Sequence, residues 1–172
     1  MASDPKILIK HQDISKAVDR LAAEIRRDYT DKNPLLIGIL KGSFIFLADL
    51  VRRIDMPLQV DFVRLSSYGS GTESSGQIKV ISRLAGPVKD RHVIVVEDII
   101  DTGLTTQYFV EYLKRKKPAS VSLCALTEKP SRRKTDVKID YLGFTVPDKF
   151  IVGYGIDWDE KYRYLPDICY IE

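Results

Sequence analysis

Three mostly apolar segments, at residues 35–40, 93–96 and 121–126, lack the alternation of apolar and polar positions that a half-exposed strand shows. Strands of this kind are typical of parallel sheets that are covered by helices on both faces. Each segment runs into polar or glycine-rich residues. The pattern therefore predicts a central sheet whose strands end in polar loops at one edge.

Segments with helical spacing separate these strands. In the first of them, apolar residues recur at three- and four-residue intervals from Ile14 to Ile25, and Asp13 stands where it could cap the helix. Two more helices are expected at 44–53 and 105–115, and further strands at 6–9, 58–65, 78–81 and 168–171. The alternation of strands and helices predicts an α/β fold.

Composition narrows the class of protein. A chain of 172 residues with 44% hydrophobic residues can bury one sizeable core, so a single domain over residues 1–172 is expected. The net charge of +3 suits an anionic substrate as well as weak contact with nucleic acid. Cys124 and Cys169 lie in apolar settings far apart, which predicts reduced core residues and neither a disulfide nor a metal site.

The sequence carries no sign of a membrane segment. Its longest apolar stretches are far shorter than the about 20 residues that span a bilayer. Residues 1–5 lack the basic and apolar regions of a secretory signal. These features predict a cytoplasmic protein.

The most informative stretch is 93–105, where an apolar strand runs into Glu97, Asp98 and Asp101. Active sites of parallel α/β sheets lie beyond the carboxyl ends of the strands, where we expect these three acids. Adjacent carboxylates repel each other without a partner, so Glu97 and Asp98 suggest a sugar diol, a hydrated Mg²⁺, or both. Three acids within five residues exceed what one helix cap requires.

A threonine- and glycine-rich turn follows the acids. Residues 102–106 precede a helix, so backbone N–H groups and hydroxyls of this turn could cradle a phosphate. Asp101 lies between the acid pair and this turn, close to the reactive carbon of a bound phosphorylated sugar.

Residues 93–105 resemble the phosphoribosyl pyrophosphate (PRPP) signature of the type I phosphoribosyltransferases, and 97–103 is similar to its form in the hypoxanthine-guanine members. The resemblance implies a mostly parallel central sheet flanked by helices, a flexible lid loop and a small base-binding hood. The hood would comprise the N-terminal segment and roughly residues 146–172.

Two further loops have both an ordinary and a functional interpretation. Lys41 and Gly42 follow the strand at 35–40, as in any βα turn, but Leu40-Lys41-Gly42 also resembles the pyrophosphate loop of the family. Ser67-Tyr68-Gly69 opens a polar stretch that could be a plain hairpin and that resembles the catalytic lid. A lid has a physical purpose, because water would hydrolyse an exposed sugar cation.

The resemblance also assigns a purine site. Lys129, which could be an ordinary surface lysine, matches the residue that donates to the exocyclic oxygen at C6 of the base. Phe150 would stack on the purine, Ile151 would offer backbone groups to its edge, and Asp157 would lie near the base and a second Mg²⁺. Arg163 matches an arginine that reaches pyrophosphate.

The implied reaction is Mg²⁺-dependent transfer of the 5-phosphoribosyl group from PRPP to N9 of hypoxanthine or guanine. It yields IMP or GMP and pyrophosphate, and Asp101 would take or share the proton at N7. The metal ligands would be Glu97, Asp98 and Asp157. The PRPP and phosphate contacts would be Lys41, Gly42, Glu97, Asp98, Asp101, Thr102, Gly103, Leu104, Thr105 and Arg163. Leu104 departs from members that carry lysine there, which removes one phosphate contact.

Two alternatives stay open. A xanthine-preferring relative is one, because a single lysine donor does not separate the three 6-oxopurines. The other is a PRPP-sensing regulator that binds nucleic acid, against which stand a complete base site and the absence of a strongly basic surface signature. The resemblance also implies a homodimer or homotetramer, with contacts near residues 58–65.

Overall fold

The computed structural model describes residues 4–68 and 77–172. The strands are β1 (Lys6–Ile9), β2 (Leu35–Leu40), β3 (Gln59–Tyr68), β4 (Gln77–Val80), β5 (His92–Ile100), β6 (Ser120–Glu128), β7 (Tyr141–Thr145), β8 (Phe150–Val152) and β9 (Ile168–Ile171). The helices are α1 (His11–Tyr29), α2 (Phe44–Ile54) and α3 (Leu104–Lys114), with a 3₁₀ turn at Pro130–Arg132.

The central sheet has the strand order β4-β3-β2-β5-β6-β7. Its last five strands are parallel, and β4 is antiparallel to β3. The predicted α/β fold with a mostly parallel sheet flanked by helices is confirmed.

Both faces of this sheet are buried, as the unalternated strands predict. Leu36 and Ile94 face the core that contains α1 and α2. Their chain neighbours Ile37 and Val95 face the second core, in which Phe109 of α3 packs. Successive side chains of a strand point to opposite faces, so one apolar run serves two cores.

A second, three-stranded sheet has the order β1-β9-β8 and is antiparallel. Its Ile151 and Ile168 join the same apolar core as α1 and α2. The small sheet is therefore packed on the helices of the main sheet.

The start of α1 and the end of β5 differ from the sequence-based prediction. Helix α1 begins at His11, before Asp13, and its N-cap Lys10 has no side-chain cap. Asp167 from a distant segment accepts the His11 backbone N–H at 2.6 Å, which the local sequence does not reveal. The other predicted strands and helices lie within three residues of their predicted ends, except β5, whereas β7 and β8 were not predicted.

Strand β5 continues to Ile100, so the prediction that Glu97 and Asp98 lie beyond the strand end is wrong. Pairing between β2 and β5 stops at Gly38 and Val96, whereas β5 stays paired with β6 to its end. Beyond Val96 the two central strands therefore separate, and a cleft opens between them.

The predicted lid begins in the described part of the chain. The backbones of Ser67 and Tyr68 lie at the end of β3 and pair with Ile78 and Gln77 of β4. The rest of the lid sequence, residues 69–76, lies outside the described residues. In the part of the chain that the structure covers, none of the helices is both long and apolar enough to cross a membrane.

Candidate active site

The cleft between β2 and β5 holds a cavity of about 260 Å³. It lies at the carboxyl ends of the parallel strands and beside the start of α3. The lining residues are Ile39, Leu40, Gly42, Leu65, Glu97, Asp98, Ile99, Asp101, Thr102, Gly103, Thr105 and Thr106. The fold thus brings part of the pyrophosphate loop, the three acids and most of the phosphate turn to one cavity.

Glu97 and Asp98 are the buried acids of this cavity, with exposed fractions of 6% and 9%. The Thr106 hydroxyl donates to Glu97 Oε1 at 3.1 Å, and the Thr127 hydroxyl donates to the Asp98 carbonyl at 2.9 Å. The Thr106 hydroxyl thus faces Glu97, and Thr106 also lines the cavity together with the rest of the turn.

Burial perturbs the titration of both carboxyls. It raises the pKa of Glu97 well above its usual range, and the neighbouring charge of Asp98 adds to the effect. Burial also raises the pKa of Asp98 to about 6, although backbone hydrogen bonds and the charge of Arg163 oppose the shift. Ionisation of both carboxyls at once is therefore costly, because burial and mutual repulsion disfavour their negative charges.

This pair fits a hydrated Mg²⁺. The ion takes oxygen ligands and is usually held by one or two carboxylates together with waters and substrate phosphates. Among the described residues, no group of three or more His, Cys, Asp or Glu side chains is placed to hold a metal by itself. Two adjacent buried carboxyls whose ionisation is disfavoured by burial match a metal that arrives with a phosphorylated substrate.

The phosphate turn begins at Gly103, which has a φ of +81° and caps the N-terminus of α3. A Cβ at this position would lie 2.4 Å from the Thr135 hydroxyl, so the turn requires glycine for its conformation and for its packing. The helix N-terminus directs backbone N–H groups and a positive dipole end toward the cavity. Leu104 is 36% exposed and does not line the cavity.

Asp101 is held by a residue that sequence reasoning did not assign. Arg132 Nε lies 2.6 Å from Asp101 Oδ1, and Arg132 Nη1 lies 3.7 Å from Asp148 Oδ1. The 3₁₀ turn at Pro130–Arg132 positions this guanidinium. The Lys129 backbone N–H donates to the Ile100 carbonyl, which ties the same segment to the end of β5. The arginine pair after Lys129 was the available sequence signal.

Lys41 and Gly42 follow β2, and the Leu40–Lys41 peptide is cis. A Cβ at Gly42 would lie 1.9 Å from Asp98 Oδ2, so this backbone approaches the acid pair as only glycine allows. The side chain of Lys41 does not line the cavity. It forms an ion pair of 2.6 Å with Glu160, a second residue that sequence reasoning missed.

The C-terminal segment adds Asp157 and Arg163. Arg163 donates to the Gly155 carbonyl at 2.8 Å and pairs with Asp157 at 2.9 Å and with Glu160 at 3.3 Å. A Cβ at Gly155 would lie 2.7 Å from the Gly42 carbonyl. The two segments therefore meet at the pyrophosphate loop, and Asp157 is engaged by an arginine.

The predicted purine residues differ in how exposed they are. Lys129 is buried, with 7% exposure, so it is not an ordinary surface lysine. Phe150 is 52% exposed, and its ring meets that of Trp158 edge to face at 6.4 Å. Ile151 is buried in β8 opposite Tyr170. None of these residues lines the phosphate cavity.

Comparison with known proteins gives a consistent result. Residues 6–159 match the family model of the phosphoribosyl transferase domain. The hypoxanthine-guanine phosphoribosyltransferase of Bacillus subtilis is 48% identical over 163 residues, which are 95% of this chain and 91% of the relative. The protein of that name from Aquifex aeolicus is 46% identical over 168 residues, or 97% of this chain and 94% of the relative.

Solved structures agree. A crystal structure of a hypoxanthine-guanine phosphoribosyltransferase from Bacillus anthracis, with a HEPES molecule in its active site, has a TM-score of 0.93 at 42% identity and covers 100% of both chains. Since the family model and these relatives match over nearly the whole length, the chain belongs to the phosphoribosyltransferase family, among its hypoxanthine-guanine members.

Proposed function

We propose that this purine-salvage enzyme transfers the 5-phosphoribosyl group of PRPP to N9 of hypoxanthine or guanine, giving IMP or GMP and pyrophosphate. The observation that carries the proposal is the cavity in which the buried acid pair, Asp101 and the Gly103 turn lie together. The names of the relatives support the choice of bases.

The acids hold the sugar and its metal. When bound, Mg²⁺ neutralises developing charge on the departing pyrophosphate. Glu97 and Asp98 would hold it together with the ribose hydroxyls, and Asp157 would hold a second ion. Negative charge beside the ribose also stabilises the positive charge that develops on its anomeric carbon.

The two ends of PRPP have separate contacts. Backbone N–H groups of Thr102, Gly103, Leu104 and Thr105 would bind the 5-phosphate at the start of α3. The pyrophosphate would lie against the Gly42 backbone, with Lys41 and Arg163 as its cations. The lid residues Ser67 and Tyr68 would close over the bound substrate and exclude water.

The base lies between the hood and the acids in this proposal. Lys129 would donate to the oxygen at C6, Phe150 would stack on the ring, and the Ile151 backbone would contact its edge. Asp101 would accept or share the proton at N7, which makes N9 the better nucleophile. An adenine amino group would face the Lys129 donor without an acceptor, so adenine is disfavoured.

The test is nucleotide formation from PRPP with hypoxanthine, guanine, xanthine or adenine, each with Mg²⁺ and with a chelator as control. We expect metal-dependent IMP and GMP and little AMP. Xanthine as the best substrate would replace the proposed bases, and PRPP binding without any product would favour a sensor.

We also propose that the enzyme is a homodimer or homotetramer. Support comes from Phe44, Val60 and Phe62, which are 40–42% exposed near the predicted contact region. Within the described ranges, β2 is the strand that pairs with residues 59–64 of β3, and residues 81–85 hydrogen-bond to Asp61 and Arg64 on the other side. Sedimentation velocity should show a multimer that Phe62→Glu dissociates, and a monomeric wild type would disprove the proposal.

A further inference from the structure

Glu160 makes direct ion pairs with both cations that the proposed function assigns to pyrophosphate. Its Oε1 lies 2.6 Å from Lys41 Nζ, and its Oε2 lies 3.3 Å from Arg163 Nη2. One carboxylate thus joins the loop after β2 to the C-terminal segment.

The two cations depend on Glu160 to different degrees. Arg163 is only 19% exposed and also contacts the Gly155 carbonyl and Asp157, so it is fixed without Glu160. Lys41 is 48% exposed, and its ion-pair partner is Glu160. The carboxylate therefore decides chiefly where the Lys41 ammonium lies.

Hydrogen bonds hold the turn that carries Glu160. Trp158 and Lys161 exchange backbone hydrogen bonds, and the Glu160 N–H donates to Asp157 Oδ2 at 2.8 Å. Asp159 and Glu160 both have positive φ, a conformation that costs non-glycine residues energy.

We infer that Glu160 is a further residue of the pyrophosphate subsite, whose carboxylate competes with pyrophosphate for Lys41 and Arg163. The inference rests on the proposed function, which supplies the role of the two cations. Two anions cannot hold the same ammonium and guanidinium donors in full, and the Glu160 side chain is 64% exposed, so water can solvate it when pyrophosphate takes its place. Competition of this kind weakens pyrophosphate binding and speeds its release as a product.

The test compares Glu160→Gln with Asp159→Asn. Both changes remove one negative charge from the same turn and keep the side-chain shape. Asp159 pairs with Lys161 at 3.7 Å, and no ion pair between it and Lys41 or Arg163 occurs among the described residues. Asp159→Asn therefore measures the long-range charge effect, and the difference between the variants measures the direct contact.

Pyrophosphate is titrated calorimetrically into each protein, once with Mg²⁺ and once in chelator, so the readout does not depend on turnover. We expect Glu160→Gln to bind pyrophosphate about threefold to tenfold more tightly than Asp159→Asn, as for the loss of two exposed ion pairs. The difference in pyrophosphate affinity between the two variants should narrow at 0.5 M salt, because screening weakens the ion pairs of Glu160 with Lys41 and Arg163.

Equal affinities of the two variants would overturn the inference and leave the proposed function standing. Weaker binding by Glu160→Gln would also overturn it, since Glu160 would then position Lys41 for the ligand. If wild type and both variants fail to bind pyrophosphate in either buffer while thermal melts show them folded, the proposed function fails as well.

Discussion

Single side chains divide the proposed chemistry between proton transfer and base selection. Asp101 is 43% exposed at its side chain and is oriented by Arg132, whereas Lys129 is buried. An exposed carboxylate can meet a proton on an incoming base. The largely buried side chain of Lys129, in contrast, would offer its donor from a confined position, which discriminates between substrates.

The first residue-scale prediction concerns Asp101→Asn. The amide keeps the size of the side chain but cannot take the N7 proton, so kcat should fall about a hundredfold or more. The KM for PRPP should stay within about threefold, because Glu97 and Asp98 remain. Steady-state kinetics with guanine measures both, and an unchanged kcat would remove Asp101 from the mechanism.

The second residue-scale prediction concerns Lys129→Ala. Loss of a charged donor to the C6 oxygen should lower the ratio of kcat/KM for hypoxanthine over adenine by about tenfold or more. Lys134→Ala is the matched control, because Lys134 is exposed in the same segment, and among the described residues its contact to the site is the backbone N–H that it donates to the Thr102 carbonyl. A ratio that changes equally in both variants would contradict the selectivity role.

At the scale of elements, the site depends on where strands stop pairing. Strand β5 separates from β2 after Val96 but remains on β6, and Gly42 fits into the resulting gap against Asp98. The segment 129–135 braces the other side through backbone hydrogen bonds to Ile100 and Thr102. The cavity is thus a product of strand geometry more than of loop length.

Gly42→Ala tests how closely the backbone at residue 42 approaches the Asp98 carboxylate. The new methyl group would lie 1.9 Å from Asp98 Oδ2, so the loop or the carboxylate must shift. Overpacking of this kind costs about 1–3 kcal/mol, and we expect a lower melting temperature together with at least tenfold weaker PRPP binding. Gly86→Ala is the control, since a Cβ there meets nothing within 4 Å. Equal melting temperatures and PRPP affinities in the two variants would show that the gap is not tight.

At the scale of the whole molecule, the acid pair links stability to pH and metal. The pKa of Asp98 is about 6 in the folded protein against about 3.9 in an unfolded chain. Between these values the folded state binds more protons, so the contribution of this group to the unfolding free energy falls as pH rises. Glu97, whose pKa is also raised, acts in the same direction.

Metal-free protein should therefore melt at a higher temperature when Glu97 is replaced by Gln. The gain should be largest at pH 8 and should shrink toward pH 5, on the order of 1 kcal/mol per pH unit within the window. Gln keeps an acceptor for the Thr106 hydroxyl. Added Mg²⁺ should stabilise the wild type more than the variant at pH 8. Calorimetric melts that coincide for both proteins across this pH range would refute the claim that ionisation of the acid pair destabilises the metal-free protein.

The sequence by itself determined the class of fold and most of the proposed site. The spacing of apolar residues within each segment shows which of its faces are buried, so strands and helices could be predicted segment by segment. The acids and the glycine turn form one continuous motif, and Lys129 lies in a second short one. Their chemistry could therefore be recognised before any contact was known.

Only the tertiary structure decided how these motifs meet. The extension of β5 through Glu97 and Asp98 depends on the partner strand β6, and the start of α1 depends on Asp167 from the far end of the chain. The ion pairs of Arg132 with Asp101 and of Glu160 with Lys41 join residues 31 and 119 positions apart. Such contacts arise when packing brings distant segments together, and no local pattern encodes them.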